Sequence, residues 1–265
     1  GAGLFESTDL PDSMGESQTP SVFDADNDGD LDIFVARHID IGDTDPVALD
    51  ARIQRADSNH LYLNDGGRFA VASTIGVADA ASFQAAPLDA DGDGDLDLFV
   101  VNDFGMFISP NELLLNDGFG SFSAANESGC DVPMFGMGAA VSDANNDLMA
   151  DIHVSDFGSP RLFFGLGEGL FYDGTMASGA SLEPTERRVT SWGTTFVDLN
   201  MDGWDELATV FGPVLMGDSR DWSDQLSDPA IDDLDDSQVQ ADALFANDAG
   251  TFKEVSADFN FDQVD

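Results

Sequence analysis

Short apolar runs recur along the chain, and polar, glycine-rich turns separate each run from the next. The run at 98–101 is typical, because acidic residues flank it and it is too short for a buried helix. No stretch shows the sustained 3.6-residue periodicity of a long helix. The pattern therefore predicts an all-β chain built from many short strands.

A carboxylate-rich loop precedes four of these runs, and its clearest copy is DADGDGDLD at 89–97. Alternate carboxylates can all turn inward in a tightly wound loop, and Gly94 takes a sharp turn that a Cβ would resist. A backbone carbonyl at the seventh position and an acid at the ninth would complete an all-oxygen cage, the donor set that Ca²⁺ prefers. The loop differs from an EF-hand because its last acid is the ninth residue and a strand follows it.

The loop begins again at 24, 143 and 198, each time before a strand-like run. Four copies in near-register favour metal cages over the alternative, solvated acidic turns without a metal, because packed carboxylates repel one another without a cation. Positions one, three, five, seven and nine of each loop supply the predicted metal ligands, position seven through its carbonyl. They are Asp24, Asp26, Asp28, Asp30, Asp32, Asp89, Asp91, Asp93, Asp95, Asp97, Asp143, Asn145, Asp147, Met149, Asp151, Asp198, Asn200, Asp202, Trp204 and Glu206.

The third and fourth loops depart from the pattern. Leu148 stands where the sixth position favours glycine, and a left-handed backbone at such a residue costs on the order of 1–2 kcal/mol. Asn145 and Asn200 replace carboxylates, and Glu206 closes the fourth loop with a longer side chain. We therefore expect up to four Ca²⁺ ions, bound most tightly by the first two loops and least tightly by the third.

A second motif alternates with the loops, at 61–69, 113–122, 162–171 and 244–252. Each copy reads as a strand, a tight turn and a returning strand, which is the signature of a β-hairpin. The glycine-rich segment 165–169 could be mistaken for a phosphate-binding loop, but it lacks the following helix and occupies the turn position of a hairpin.

One unit therefore contains two strands around a cage and a hairpin, which is the composition of a four-stranded propeller blade. The segments 136–141 and 194–197 are predicted inner strands. We expect one β-propeller domain or fragment over 1–265, part of a larger ring. Its predicted repeats span 1–20 (a partial hairpin end), 21–75, 83–128, 135–177, 191–256 and 257–265 (the start of a further unit).

Two insertions interrupt the repeats, at 37–58 and 213–240, and long loops on a rigid scaffold often carry function. Residues 50–56 are a predicted short helix, whereas the acidic second insertion could equally be a disordered loop. The segments at 3–5 and 259–265 resemble parts of further units. Three explanations for these partial units stay open. The protein could have more sequence, another chain could supply the remaining blades, or four units could close the ring by themselves.

The net charge of −43 excludes nucleic acid and anionic membranes as natural partners, although solubility alone could also account for it. No apolar run has membrane-spanning length, so no membrane insertion is expected. Cys130 is the single cysteine, so calcium would replace disulfides as the stabilising element. Weak oxygen cages fill at extracellular calcium levels, which predicts an extracellular, periplasmic or cell-surface protein.

The pairing of D-x-D-x-D-G-x-x-D-L loops with hairpins such as NHLYLN at 59–64 resembles the FG-GAP/VCBS repeats of integrin-α-type β-propellers. FGMGAA at 135–140 and WGTTF at 192–196 are similar to the ASPIC/UnbV and cartilage-acidic-protein group. The resemblance covers nearly the whole chain. It implies a secreted or surface propeller of seven or eight blades that binds calcium and works in adhesion or as a scaffold, and it does not imply an enzyme.

No metalloprotease, nucleophile-elbow or paired-cysteine motif is present, and the three histidines lie in unrelated contexts. The leading hypothesis is a non-catalytic calcium-stabilised module that binds a protein or glycan partner. One alternative is a structural subunit of a surface or envelope assembly, whose missing blades come from other chains. Another is a carbohydrate-active lyase or hydrolase built on a propeller.

Overall fold

The computed structural model describes residues 10–11, 16–39, 58–76, 80–182, 190–212 and 241–261. The predicted helix at 50–56, the insertion at 213–240 and the segment 3–5 lie outside these ranges, as does most of 37–58.

The described chain forms four sheets of four strands, and every sheet is an antiparallel meander of consecutive strands. The first sheet contains β1 (Ser17–Phe23), β2 (Asp32–Arg37), β3 (His60–Asp65) and β4 (Arg68–Thr74). The second contains β5 (Ala81–Leu88), β6 (Asp97–Asp103), β7 (Glu112–Asn116) and β8 (Phe122–Ala124). The third contains β9 (Gly136–Ser142), β10 (Asp151–Asp156), β11 (Arg161–Gly167) and β12 (Leu170–Asp173). The fourth contains β13 (Ser191–Val197), β14 (Glu206–Phe211), β15 (Ala243–Asp248) and β16 (Thr251–Glu254).

Helical structure is minor in these ranges. A single-turn helix α1 (Thr175–Ser178) follows the third sheet, and a 3-10 turn (Ser256–Phe259) follows the fourth. None of the described helices has the length and apolar character needed to cross a membrane. The all-β prediction and the four predicted hairpins are confirmed.

The sheets pack face to face in chain order, with the first strand of each against the first strand of the next. Three apolar cores fill the three interfaces between them. The β6 strand does not alternate between apolar and polar residues, because both of its faces are buried. Leu98 and Val100 face the first sheet, whereas Phe99 and Val101 face the third. A strand buried on both faces reads as a continuous apolar run.

This arrangement confirms blade-like units and the predicted inner strands β9 and β13. The four sheets form a row in the described ranges, and no closed ring is shown there. The number of blades in a complete ring stays a prediction. The first sheet begins at Ser17, inside the segment predicted to be a partial hairpin end.

Candidate metal centre

All four acidic loops join the first strand of a sheet to its second strand. Because every sheet is a meander and the sheets pack in register through their first strands, the four loops lie at the same end of the sheets. We number the nine residues of each loop from its first Asp, so that residue nine begins the second strand and is called the closing acid.

The first residue of each loop accepts hydrogen bonds from backbone N–H groups further along the loop. In the second loop, Asp89 accepts from Gly92 at 2.8 Å and from Gly94 at 3.2 Å. The third loop repeats the arrangement, because Leu148 donates its N–H to Asp143 Oδ2 at 2.8 Å. These bonds wind the chain tightly enough to bring alternate side chains to one side of the loop.

The third and fifth residues use one oxygen in the same way. Asp91 Oδ1 accepts from the N–H of Asp93 at 3.2 Å, and Asp93 Oδ1 accepts from the N–H of Asp95 at 3.0 Å. A carboxylate with one oxygen bound to the backbone still has its other oxygen available. Each loop is thus a series of turns stabilised by side-chain hydrogen bonds. The carboxylate oxygens that do not bind the loop backbone remain available as acceptors.

The remaining acceptors come together in the first two loops. One oxygen from each of Asp24, Asp26 and Asp28 lies within 4.8 Å of the others, and Asp89, Asp91 and Asp97 form a second such group. In the first loop, Asp24 Oδ1 and Asp26 Oδ1 are buried atoms without a hydrogen-bond partner. Unpaired buried acceptors are costly, so their convergence makes the first loop a suitable position for a cation.

The third and fourth loops form no such three-acid group within the described residues. The asparagines explain the difference, because each donates its amide to an acid of its own loop. Asn145 donates to Asp147 Oδ2 at 2.9 Å, and Asn200 donates to Glu206 Oε1 at 3.0 Å. Both asparagines therefore occupy an oxygen that a cation would otherwise use.

The closing acid ties the loop to the rest of its sheet. In the second sheet, Asp97 Oδ2 accepts from the N–H of Ala90 at 2.8 Å, and Asp97 Oδ1 accepts from the N–H of Asn116 at 2.8 Å. Asp32 and Asp151 make the same pair of bonds in their own sheets. Both oxygens keep a second lone pair, so a structural role and a metal-binding role are compatible.

Burial perturbs several of these acids. Desolvation raises the pKa of Asp97 to about 6 and that of Asp151 to about 7. Desolvation, with repulsion from the neighbouring loop carboxylates, also raises the pKa of Asp26 and of Asp91. A cation at the loop would favour the ionised forms and oppose these shifts.

Two positions in each loop adopt the left-handed backbone conformation. The sixth position was anticipated: Gly94 has φ 96°, and Leu148 has φ 71° despite its branched side chain. The fourth position was missed, although Asn27, with φ 59°, and its counterparts are mostly the Asn and Gly residues that tolerate this conformation. Met201, with φ 61°, has no such sequence signal.

The seventh residues were predicted to act through their carbonyls, and that remains a prediction. Their acidic side chains make contacts outside the loop: Asp30 Oδ2 accepts from the N–H of Gly66 at 2.8 Å, and Asp95 Oδ1 accepts from Asn27 at 2.6 Å. Met149 and Trp204 supply the same backbone position in the third and fourth loops.

The opposite end of the sheets carries a different set of side chains. His38 Nε2 lies 3.5 Å from Asp103 Oδ2, and both side chains are buried. Beside them, Phe135 makes ring contacts with Phe104, Phe107 and Phe157 at centroid distances of 6.1–6.2 Å. Met106 and Phe107 are exposed on the connection between β6 and β7.

Cys130 is buried, and burial raises the pKa of its thiol to about 12, so it is protonated and unreactive at neutral pH. Burial lowers the pKa of His153 to about 3, so this imidazole is neutral. Its Nδ1 lies 2.8 Å from Thr194 Oγ1, between the third and fourth sheets. Both residues therefore belong to the core.

Comparison with known proteins agrees with this architecture. Residues 89–154, about a quarter of the chain, match the model of the FG-GAP-like repeat. They comprise the second loop, the strands β6, β7 and β8 that follow it, β9, the third loop and the first part of β10. This stretch is therefore similar to an FG-GAP-like repeat, and no curated protein matches the sequence significantly.

Two solved structures resemble this chain. One is a fructofuranosidase from Schwanniomyces occidentalis complexed with fructosylnystose, at TM-score 0.50 and 11% identity, covering 92% of this chain and 46% of that one. The other is an Agrocybe aegerita lectin that recognises non-reducing terminal N-acetylglucosamine, at TM-score 0.48 and 16% identity, covering 90% and 51%. The chain thus spans about half the length of these structures, and identities this low show the fold alone.

Proposed function

We propose that this protein is a non-catalytic β-propeller module, stabilised by Ca²⁺, that binds a protein or glycan partner outside the cell or at its surface. The observation that carries the calcium assignment is the pair of buried, unpartnered oxygens of Asp24 and Asp26. The donor set supports it, because carboxylates, amides and carbonyls are oxygen ligands and the loops contain no cysteine or histidine.

The residues present fit this ion. Asp24, Asp26 and Asp28 would hold it in the first loop, and Asp89, Asp91 and Asp97 would hold it in the second. When bound, the ion would neutralise carboxylates that otherwise repel one another. The chain's own part is to position these acids by the backbone hydrogen bonds that wind each loop. Ion binding would then add to the free energy of unfolding by mass action.

The partner-binding surface is proposed at the end of the sheets opposite the loops. Two features support this choice: the exposed side chains of Met106 and Phe107, and the departure of both insertions from this end, after Ile39 and after Gly212. Exposed apolar side chains on short connections of a rigid scaffold suit an interaction surface. The net charge of −43 favours neutral or basic partners over acidic ones.

Native mass spectrometry with calcium and after chelation tests the metal assignment. We expect bound Ca²⁺ in the first two loops at least, and loss of the ions in chelator together with a lower melting temperature. Protein that binds no calcium at millimolar concentration would refute the assignment.

The partner surface requires a separate test. Phe107→Ala removes a largely exposed ring that contacts Phe135. Calcium binding should be unchanged and the melting temperature should fall only slightly, whereas retention on an array of neutral oligosaccharides or basic peptides should fall. Val22, on the first sheet, is a matched exposed apolar residue at a distance from this surface, and Val22→Ala should not affect retention. Equal retention of both variants and the parent would refute this surface.

A specific observation favours one alternative, a structural subunit whose blades continue in a neighbour. Val22 on the first sheet and Val197 and Val210 on the fourth are exposed, and all three lie on the outer sheets of the row. Further blades would cover such valines. Sedimentation of the purified protein across a concentration series distinguishes a monomeric module from such an assembly.

A further inference from the structure

The second residue of each of the first three loops is held by the sheet that follows. The carbonyl of Ala25 accepts from Asn116 Nδ2 at 2.9 Å, and the carbonyl of Ala144 accepts from Asn247 Nδ2 at 2.8 Å. The carbonyl of Ala90 accepts instead from the backbone N–H of Gly169 at 3.0 Å. In every case the donor lies in the hairpin of the next sheet.

The same loop residue also contacts the closing acid of its own loop. The N–H of Ala25 donates to Asp32 Oδ2 at 2.7 Å, and the N–H of Ala144 donates to Asp151 Oδ2 at 2.9 Å. The N–H of the second loop residue thus contacts the closing acid, which is a predicted metal ligand, and its carbonyl contacts the next sheet. This residue therefore connects the predicted metal site to the neighbouring sheet.

Asn116 completes a continuous path between the first and second loops. Its side chain binds the carbonyl of Ala25, while its backbone N–H binds Asp97, the closing acid of the second loop. A second, direct link runs beside it, because Asn27 Nδ2 donates to Asp95 Oδ1 at 2.6 Å. Two independent side-chain contacts thus join these loops.

The third and fourth loops are joined in a similar manner. Asn247 Nδ2 donates both to the carbonyl of Ala144 and, at 3.0 Å, to the carbonyl of Asp205 in the fourth loop. Asn146 Nδ2 donates to the carbonyl of Gly203 at 3.1 Å. Asn146 occupies the same loop position as Asn27, so the direct link is repeated as well.

The second and third loops lack this coupling. The hairpin of the third sheet has Gly165 where the others have asparagine, so no side chain reaches back to the second loop. A Cβ at Gly165 would lie 2.5 Å from the carbonyl oxygen of Ala150, which explains the glycine. Among the described residues, no side-chain hydrogen bond joins these two loops, and the Gly169 N–H to Ala90 bond remains as the link.

We propose that the four loops bind Ca²⁺ as two coupled pairs, the first with the second and the third with the fourth, and that Asn27 and Asn116 are the positioning residues of the first pair. This inference rests on the proposed calcium function. When one loop binds its ion and becomes ordered, the hydrogen bonds of Asn27 and Asn116 also order the neighbouring loop. The second ion of the pair then binds to a site that is already arranged.

The test uses the first pair in isolation, in a background that carries Asp147→Asn and Asp202→Asn to disable the other two loops. Isothermal titration and native mass spectrometry give the two stepwise calcium constants. The double variant Asn27→Gly/Asn116→Ala should lower the second constant relative to the first by about fivefold or more, the lower range of couplings between sites. Glycine is chosen at position 27 because its φ of 59° must be kept.

Asn64→Ala is the matched control. Asn64 Nδ2 binds the carbonyl of Leu31 at 3.1 Å, as Asn116 binds that of Leu96 within the second sheet. Because Asn64 makes no hydrogen bond to another sheet in the described structure, its loss should leave the ratio of the two constants unchanged. Asn27→Gly alone is a milder second variant, at an exposed position, and should give a partial reduction.

The outcomes separate the two proposals. A reduced ratio in the double variant, with the Asn64 control unchanged, supports the coupling. Calcium binding with the same ratio in all variants overturns the coupling and leaves the calcium function standing. A background protein that binds no calcium overturns both.

Discussion

Leu148 offers a test of how backbone strain limits the third loop. It has φ 71°, and its side chain is 94% exposed, so the side chain contributes little burial in return for its conformation. Its N–H bond to Asp143 does not involve the side chain. Leu148→Gly should therefore stabilise the protein, which is unusual for a substitution that removes an apolar side chain.

The magnitude follows from two opposing effects. Removing the left-handed strain gains about 1–2 kcal/mol. Glycine also gives the unfolded chain more freedom, which costs about 0.4–1 kcal/mol. Taken at the middle of both ranges, the net gain is about 0.8 kcal/mol, or roughly 2–3 °C in melting temperature for a domain of this size. Because Leu148 already has this conformation before calcium binds, the gain should appear in chelator, and calcium affinity at the third loop should change little.

Differential scanning calorimetry in chelator isolates the backbone effect, and a calcium titration then measures the affinity. Leu148→Ala is the matched variant, because alanine keeps a Cβ and hence the strain. It should remain within about 0.5 kcal/mol of the parent. Gly94→Leu is the reverse change in the second loop, where a Cβ meets no atom within 4 Å, so the same two terms should appear with opposite sign, as a net loss of about 0.8 kcal/mol. Equal stabilisation by Leu148→Ala and Leu148→Gly would refute the reasoning, since it would assign the gain to the exposed side chain.

Three further predictions concern the loops and the core. Asp89→Asn removes a charge and keeps one of the two acceptor oxygens. In calcium it should lower the free energy of unfolding by up to about 2.7 kcal/mol at a hundredfold excess over Kd, and in chelator it should cost less, because only one loop hydrogen bond is lost there. Equal losses in both conditions would assign Asp89 to loop hydrogen bonding alone. Burial raises the pKa of Asp156 to about 7, so the folded state holds the proton of this carboxyl group more tightly than the unfolded state does. The contribution of Asp156 to the free energy of unfolding is therefore present at acid pH and is lost as the pH rises from about 4 to 7. Asp156→Asn, which keeps the oxygen that accepts from the N–H of Phe135, should flatten that decline in urea melts at saturating calcium, and an unchanged slope would contradict it. Gly165→Ala should lower the free energy of unfolding by about 1–3 kcal/mol, because the new Cβ meets the carbonyl oxygen of Ala150. Gly193→Ala is the control and should lower it less, because its Cβ meets only a Val210 methyl group at 3.2 Å. Similar losses of the two variants in chemical denaturation would argue against the clash.

The sequence was sufficient for the elements that form locally. A loop such as 89–97 and the hairpin at 113–122 encode their turns in nearby Asp, Asn and Gly residues, so both could be predicted without knowledge of the tertiary structure. The apolar run of β6 likewise indicated a strand, and the structure added that this strand is buried on both faces. These features depend on the φ preferences and the side-chain period of neighbouring residues.

Features that depend on packing between sheets could not be predicted in this way. Nothing in the motif around Asn116 shows that its amide reaches Ala25, which is far away in sequence and belongs to another sheet. The absence of a side chain at Gly165 looks like an ordinary turn variation until the Ala150 carbonyl is seen beside it. The tie between Asn200 and Glu206 also required the structure, because it depends on how the longer acid folds back over the loop.

The meander order of the sheets has a consequence for how the chain reaches its fold. Every strand pairs with its immediate neighbours in sequence, so a sheet can close as soon as its last strand is available, without waiting for later parts of the chain. Folding can therefore follow the direction of synthesis, with each finished sheet serving as a template for the next. The first and fourth sheets are the exceptions, because long connections separate β2 from β3 and β14 from β15. Closing a long connection costs more entropy than closing a short turn, so these two sheets are expected to close more slowly than the second and third.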